Sequence, residues 1–111
     1  MEEMRIGFDA LPWIDVAPGA REKRAVRADR AVRLVEFSPP FEEDGWCERG
    51  HTGCVVSGGF TLEHDAGSTR FDAGDALVIP PGAAHRHRAV VDRPVVLFLL
   101  EEPETGPEQG P

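Results

Sequence analysis

The sequence predicts an all-β domain, and three observations carry this prediction. Short apolar or alternating runs recur along the chain, as expected for strands with one or two buried faces. Turn-forming residues separate these runs about every eight to twelve residues, and the 111-residue chain contains 12 Gly and 10 Pro. No segment shows a sustained helical period. Together these features are typical of a β-sandwich or β-barrel.

The chain is long enough for one domain with a single core. Residues 1–20 are expected to form an extended arm with a short strand, because Pro12 and Pro18 oppose a helix. Residues 21–100 should form the barrel, with strands near residues 31–37, 53–57, 60–64, 69–71, 76–79, 86–91 and 95–100. The last of these strands is apolar throughout, which predicts a central strand covered on both faces.

Residues 101–111 consist largely of Glu, Pro and Gly. Such a composition offers little apolar surface to bury, so we expect a disordered acidic tail.

The segment from Gly74 to His87 combines turns, a buried strand and two histidines. The apolar residues 76–79 lie between a Gly-Asp turn and a Pro-Pro-Gly turn. His85 and His87 follow two residues apart, so on a strand both imidazoles share one face. Two imidazoles delivered to one side of a sheet are a plausible start for a metal pocket.

The spacing G-x5-P-x-G-x2-H is met by Gly74, Pro80, Gly82 and His85. It resembles the second sequence motif of the cupin superfamily. The resemblance implies a jelly-roll β-barrel with a pocket for a small molecule, in many cases with a metal ion. It implies no particular substrate.

The first motif of the same family has two histidines two apart, a carboxylate four residues on and a glycine seven beyond. If Gly58 is that glycine, His51 stands in place of the carboxylate, Cys47 in place of the second histidine and Gly45 in place of the first. Residues 45, 47 and 51 would still share one face of a regular strand. Cys47, His51 and His85 then offer one thiolate and two imidazoles, a set acceptable to zinc or ferrous iron.

Other ligand sets stay open. A bulge at Gly50 would turn Glu48 inward in place of Cys47, which gives two imidazoles and a carboxylate. His87 would be a further ligand or a hydrogen-bonding partner of one. The expected cofactor is a divalent ion (Zn, Fe, Mn or Ni), and a metal-free pocket is the competing interpretation.

The charge balance bears on partners. The chain has 12 basic and 20 acidic residues, a formal charge of −8, which disfavours nucleic acid and anionic membranes. No apolar run is long enough to span a membrane, and residues 1–5 lack the features of a secretion signal. We expect a cytoplasmic protein. Cys47 and Cys54 are an odd number of residues apart, so on one strand they face opposite sides, and both should be reduced.

Two classes of function remain after this reasoning. The first is a metal-dependent enzyme acting on a small molecule inside the barrel, because dioxygenases, isomerases and lyases occur in similar families. The second is a non-enzymatic ligand-binding or sensory module. In either case Phe8, Trp13 and Ile14 expose more apolar surface than a free arm should, which predicts a homodimer.

Overall fold

A computed structural model describes residues 4–101 of the chain. It contains eight strands: β1 Ile14–Ala17, β2 Ala20–Arg27, β3 Arg30–Phe37, β4 His51–His64, β5 Gly67–Asp72, β6 Ala76–Ile79, β7 His87–Val90 and β8 Val95–Glu101. Short 3-10 turns span Phe8–Ala10 and Ala83–His85. The predicted all-β jelly-roll is confirmed. Within the described range no helix is long and apolar enough to cross a membrane.

The strands pair antiparallel throughout and form two sheets that share β4. One sheet has the order β1-β2-β3-β8-β4-β6, and the other has β5-β4-β7. β4 pairs with β8 and β6 through its first half and with β5 and β7 through its second half. The single strand β4 therefore joins the two walls of the barrel.

A bulge lets both halves of β4 face the core. Val55 pairs with Leu97 and Ser57 pairs with Val96, so Val56 is an extra residue in β4. Before the bulge the odd-numbered Val55 is buried, and after it the even-numbered Phe60 is buried. The sequence predicted two strands, 53–57 and 60–64, because the alternation breaks here. The structure corrects this to one strand of 14 residues.

The core lies between the inner faces of the two sheets. Its buried members are aliphatic or aromatic: Val35, Val55, Phe60, Leu62, Leu77, Ala89, Val95, Leu97 and Leu99. Val95 and Val35 are almost completely shielded from solvent, as expected for side chains in the middle of a close-packed barrel.

β8 is central in its sheet, as predicted, but it is not covered on both faces. Its residues alternate between buried and partly exposed, and Leu100 on the outer face is 38% exposed. Within residues 4–101, the N-terminal arm covers part of this face, where Phe8 makes an edge contact with Phe98 at a centroid distance of 6.5 Å.

β2 was not among the strands predicted from the sequence. It is joined to β3 by a two-residue turn in which Ala28 and Asp29 both have positive φ, at 51° and 59°. Such turns usually carry Asn-Gly, so Ala-Asp gave no hairpin signal. The expected arm, residues 1–20, includes β1 and the first residue of β2. The expected tail, residues 101–111, lies outside the described residues except for Glu101.

Candidate metal centre

Cys47 and His87 are fixed opposite each other by the main chain. The N–H of Cys47 donates to the carbonyl of His87 at 2.8 Å, and the N–H of His87 donates to the carbonyl of Cys47 at 2.9 Å. Paired residues in such a bridge project to the same side. The His87 side chain is buried, with 3% of the residue exposed, so the pair points into the barrel.

His51 joins this pair from the first position of β4. Its Nε2 lies 3.8 Å from Sγ of Cys47, and its ring centroid lies 5.2 Å from that of His87 at 75°. The ligand atoms of Cys47, His51 and His87 all lie within 4.8 Å of one another. In the part of the chain that the structure describes, this is the one His/Cys/Asp/Glu group compact enough to hold a metal ion.

The hydrogen bonds of His87 settle which ring nitrogen is free. Its Nδ1 lies 3.0 Å from the carbonyl oxygen of His85, and a carbonyl only accepts, so Nδ1 carries the hydrogen. In the neutral ring Nε2 is then an unprotonated acceptor. This Nε2 is buried and has no hydrogen-bond partner among the described residues. An unsatisfied buried polar atom is costly unless a ligand engages it.

His51 is held in the same manner by an acidic partner. Its Nδ1 is hydrogen-bonded to the carboxylate of Glu101, the last residue of β8. Its Nε2 faces Cys47. Both imidazoles therefore have Nδ1 hydrogen-bonded. Nε2 of His51 lies beside the Cys47 sulfur, and Nε2 of His87 is buried.

Glu101 belongs to a buried ion network. Its carboxylate accepts from Nη1 of Arg33 at 3.0 and 3.3 Å and lies 3.5 Å from Nη2 of Arg49. Arg33 also donates from Nε to Glu22 at 2.8 Å. Burial works to raise the pKa of Glu101, but the hydrogen bond with His51 and the charge of Arg33 outweigh it and lower the pKa to about 2.

The pKa of His51 and that of Glu43 also depart from their ordinary values. Burial works to lower the pKa of His51, but its hydrogen bonds with Cys47 and Glu101 outweigh burial and raise it. For Glu43, burial raises the pKa, against a hydrogen bond from the N–H of Ala89 at 2.7 Å. Electrostatic interactions with His87 and His51 also act to lower the pKa of Glu43, so a half-buried carboxyl group lies near the centre.

The structure brings together three of the five residues that the sequence singled out: Cys47, His51 and His87. The other two lie elsewhere. His85 ends an exposed 3-10 turn and contributes its carbonyl to His87. The Glu48 side chain is exposed, and its carbonyl accepts from the N–H of Gly82 at 2.8 Å. Both lie outside the three-residue group.

Cys47 reaches the group by a route different from the one expected. β4 begins only at His51, so Cys47 is not on a continuous strand with it and strand parity does not place it. The bridge to His87 does. The register shift in β4 lies at Val56 and not at Gly50. Both cysteines are free, as predicted.

Sequence reasoning missed Glu101 and Arg33, although Arg33 carried a signal. Arg33 alternates with Ala31 and Val35 in β3, and both of these are buried, so the period of two already placed a charge on the inner face. Glu101 was assigned to the tail because it opens the Glu-Pro-rich segment. No local pattern separates it from Glu102.

The donor types define what this group can do. One thiolate and two neutral imidazoles suit a borderline ion such as zinc or ferrous iron. The order Cys47, His51, Glu101 also matches a nucleophile, a base and an orienting carboxylate. That second arrangement leaves Nε2 of His87 without a partner among the described residues, whereas a metal ion would engage it together with Cys47 and His51. The metal site explains more of the geometry.

Comparisons with known proteins agree with this fold. The family model of the cupin domain matches residues 46–101. The structure resembles KdgF from Halomonas sp. at 31% identity and a TM-score of 0.70, with 86% of this chain and 92% of that chain covered. No curated protein matches significantly.

Two further structures are similar in fold alone. The polyketide cyclase RemF from Streptomyces resistomycificus is 21% identical, with a TM-score of 0.74 and coverage of 95% of this chain and 87% of that chain. A sugar phosphate isomerase of the cupin superfamily from Silicibacter pomeroyi is 18% identical, with a TM-score of 0.67 and coverage of 86% and 73%. This chain belongs to the cupin family, because the cupin domain model matches it and a structure of the same fold is 31% identical to it.

Proposed function

We propose that the barrel binds a divalent metal ion through Cys47, His51 and His87 and presents it to a small, oxygen-bearing molecule. One observation carries the proposal. Nε2 of His87 is buried and unpartnered among the described residues, and the ligand atoms of Cys47, His51 and His87 lie within 4.8 Å of one another. A metal ion is a ligand that satisfies all three donors at once.

The donor set narrows the identity of the ion. Thiolate and imidazole favour zinc or ferrous iron over manganese, which prefers oxygen ligands. Three protein ligands leave at least one coordination position for water or substrate, as catalytic zinc sites do. When bound, such an ion would polarise an oxygen of the small molecule as a Lewis acid or, if it is iron, activate dioxygen.

The chain's own residues would hold and orient the ion. The carbonyl of His85 fixes the ring of His87, and the main-chain bridge keeps Cys47 opposite it. The carboxyl group of Glu43 is half-buried near both imidazoles, and its pKa is raised by burial. A carboxyl group of this kind can accept or return a proton, which suits isomerase or lyase chemistry.

Metal analysis of the purified full chain tests the proposal. The wild type, reconstituted with zinc or, anaerobically, with ferrous iron, should bind about one ion per chain. His87→Ala should lose the ion, because it removes the buried donor. The matched control is His85→Ala, which keeps the carbonyl that holds His87. Equal metal content in the wild type and the His87→Ala protein would contradict the proposal.

The alternative is a ligand-binding or sensory module without turnover. The iron-loaded protein should be screened for oxygen uptake, and the zinc-loaded protein for conversion of small hydroxy- and keto-acids. Saturable binding of such an acid without product would favour the binding module, and product formation would favour the enzyme. Both outcomes leave the metal site in place.

We further infer that a second copy covers the outer face of the larger sheet. Val78 and Leu100 both pair with Thr52 and share its face, opposite the buried Leu77 and Leu99. Val78 is 75% exposed. Exposed apolar side chains on one sheet face are the kind of surface that homodimer interfaces bury. The cytoplasmic location stays a prediction.

A further inference from the structure

Glu101 is a buried carboxylate at the end of β8, with 5% of the residue exposed. Its Oε1 lies 3.0 Å from Nη1 of Arg33 and 3.5 Å from Nη2 of Arg49. Its Oε2 is bonded to Nδ1 of His51. A charge this deeply buried is expensive unless it is paired and hydrogen-bonded, and here both oxygens are engaged.

The two oxygens share Arg33 but differ in their other partners. Nη1 of Arg33 reaches Oε1 at 3.0 Å and Oε2 at 3.3 Å, Arg49 lies near Oε1, and these guanidinium groups fix the orientation of the carboxylate. Oε2 then accepts a hydrogen bond from Nδ1 of His51, because a carboxylate is an acceptor only. The neutral ring must carry its hydrogen on Nδ1, which leaves the lone pair on Nε2, on the side of Cys47.

We propose that Glu101 is a positioning residue of the centre: clamped by Arg33 and Arg49, its carboxylate fixes the ring and the tautomer of His51 so that Nε2 serves as a metal ligand. The proposal rests on the proposed metal site. A carboxylate behind a ligating imidazole also makes the other nitrogen a stronger donor. The contacts join β3, β8 and β4, so three neighbouring strands set one ligand.

The chain offers a matched control for this role. Glu22 is bonded to the same guanidinium as Glu101, through Nε of Arg33 at 2.8 Å. It lies on β2, which pairs with β1 and β3, whereas His51 lies on β4. Glu22→Gln therefore disturbs Arg33 and leaves the bond between Glu101 and His51 in place, whereas Glu101→Gln removes the charge that faces the imidazole. A purely structural role of the ion network would make the two variants alike.

Zinc affinity of the purified full chain, measured by competition with a chromophoric chelator, is the first test. Loss of an outer partner of a ligand typically weakens metal binding by about 10- to 100-fold, so Glu101→Gln should fall in that range. Glu22→Gln should bind zinc as the wild type does. Wild-type affinity in Glu101→Gln, or an equal loss in Glu22→Gln, would overturn the proposal.

If Glu101→Gln does not fold by circular dichroism, Glu101→Asp takes its place. The aspartate keeps the charge but is one methylene shorter, so it should reach His51 poorly and weaken zinc binding in the same direction. Unchanged affinity in a folded Glu101→Asp protein would count against the role.

A second readout needs no metal. Nitrogen-15 shifts of the His51 ring in the metal-free protein at alkaline pH should show hydrogen on Nδ1 in the wild type and a mixture of tautomers in Glu101→Gln. If wild type and His87→Ala bind zinc equally poorly, the metal site is refuted while this measurement still tests Glu101. An identical tautomer in both proteins would refute the positioning role by itself.

Discussion

Cys47 and His87 exchange two main-chain hydrogen bonds, of 2.8 and 2.9 Å, so two of the three candidate ligands are held together by backbone alone. Their side chains can be changed without breaking that bridge. Substitutions here therefore report on chemistry more than on folding, which makes the ligand variants informative.

The first prediction compares Cys47→Ser with Glu48→Gln. Both changes are nearly isosteric. A serine hydroxyl does not ionise near neutral pH, so the serine variant loses the thiolate that zinc prefers and should release the ion. Glu48 is exposed, and Glu48→Gln should keep the metal. Inductively coupled plasma mass spectrometry of both proteins gives the answer, and metal loss in Glu48→Gln alone would place the carboxylate in the site instead.

The second prediction concerns the contact between β4 and β8. A Cβ atom at Gly53 would overlap the carbonyl oxygen of Phe98, so Gly53→Ala must push the two central strands apart. We expect a loss of about 3 kcal/mol in the free energy of unfolding, at the upper end for overpacked sites. At Gly7 an added Cβ would meet no atom of the described residues within 4 Å, which makes Gly7→Ala the control. Urea titration of both variants measures the difference, and equal midpoints would contradict it.

The third prediction follows from the depressed pKa of Glu101. Its pKa in the folded chain is about 2, against an ordinary value of 4.5. The unfolded chain therefore binds more protons in this window, and stability must fall as the pH falls from 4.5 towards 2. A shift of this size corresponds to a contribution on the order of 3 kcal/mol at neutral pH.

Urea titrations of the chelator-treated protein between pH 4.5 and pH 2 measure this loss of stability on acidification. Glu101→Gln should be less stable at neutral pH but should lose less stability on acidification. The control is Glu63→Gln in the more exposed ion pair with Arg88, since such pairs contribute little. If Glu101→Gln loses as much stability on acidification as the wild type, other carboxylates cause that loss.

The fourth prediction addresses the outer sheet face. Val78→Asp places a charge in the inferred contact between two copies and should give a folded monomer. The control Val26→Asp alters another exposed valine, which lies on the opposite face because Val26 pairs with the inward Ala31. Light scattering after size-exclusion chromatography reports the mass. A monomeric wild type would refute the inferred dimer.

The strand pattern was readable from the sequence wherever one face is buried. Residues 76–79 and 95–100 were found because apolar runs end at Gly, Pro or Asp. β2 was missed because its consecutive charged residues, 21–24, resemble a solvated segment and its turn lacks glycine. The apolar surface of this strand pair comes from β3, so the residues of β2 alone do not reveal that it is a strand.

The site was predictable only in part, for a geometric reason. Residue spacing identified Cys47 and His51 as candidate ligands, and a period of two placed His87 on the same strand face as His85. The 3-10 turn at Ala83–His85 breaks that period, so one imidazole turns inward and the other does not. The contact between His51 and Glu101 joins residues 50 apart in the chain, which no local pattern encodes.

Within the part of β4 that pairs with β8, the extra residue Val56 is the one position without a partner. Deleting it would leave a regular strand in which Val55, Phe60 and Leu62 still share the core face, whereas a deletion within the regular half after the bulge would turn the later side chains to the opposite face. Strand β4 carries the candidate ligand His51 at one end and pairs with β7, which carries His87, at the other. Changes in chain length should therefore be tolerated in the turn at residues 92–94 and at the bulge, and selected against in the regular parts of β4.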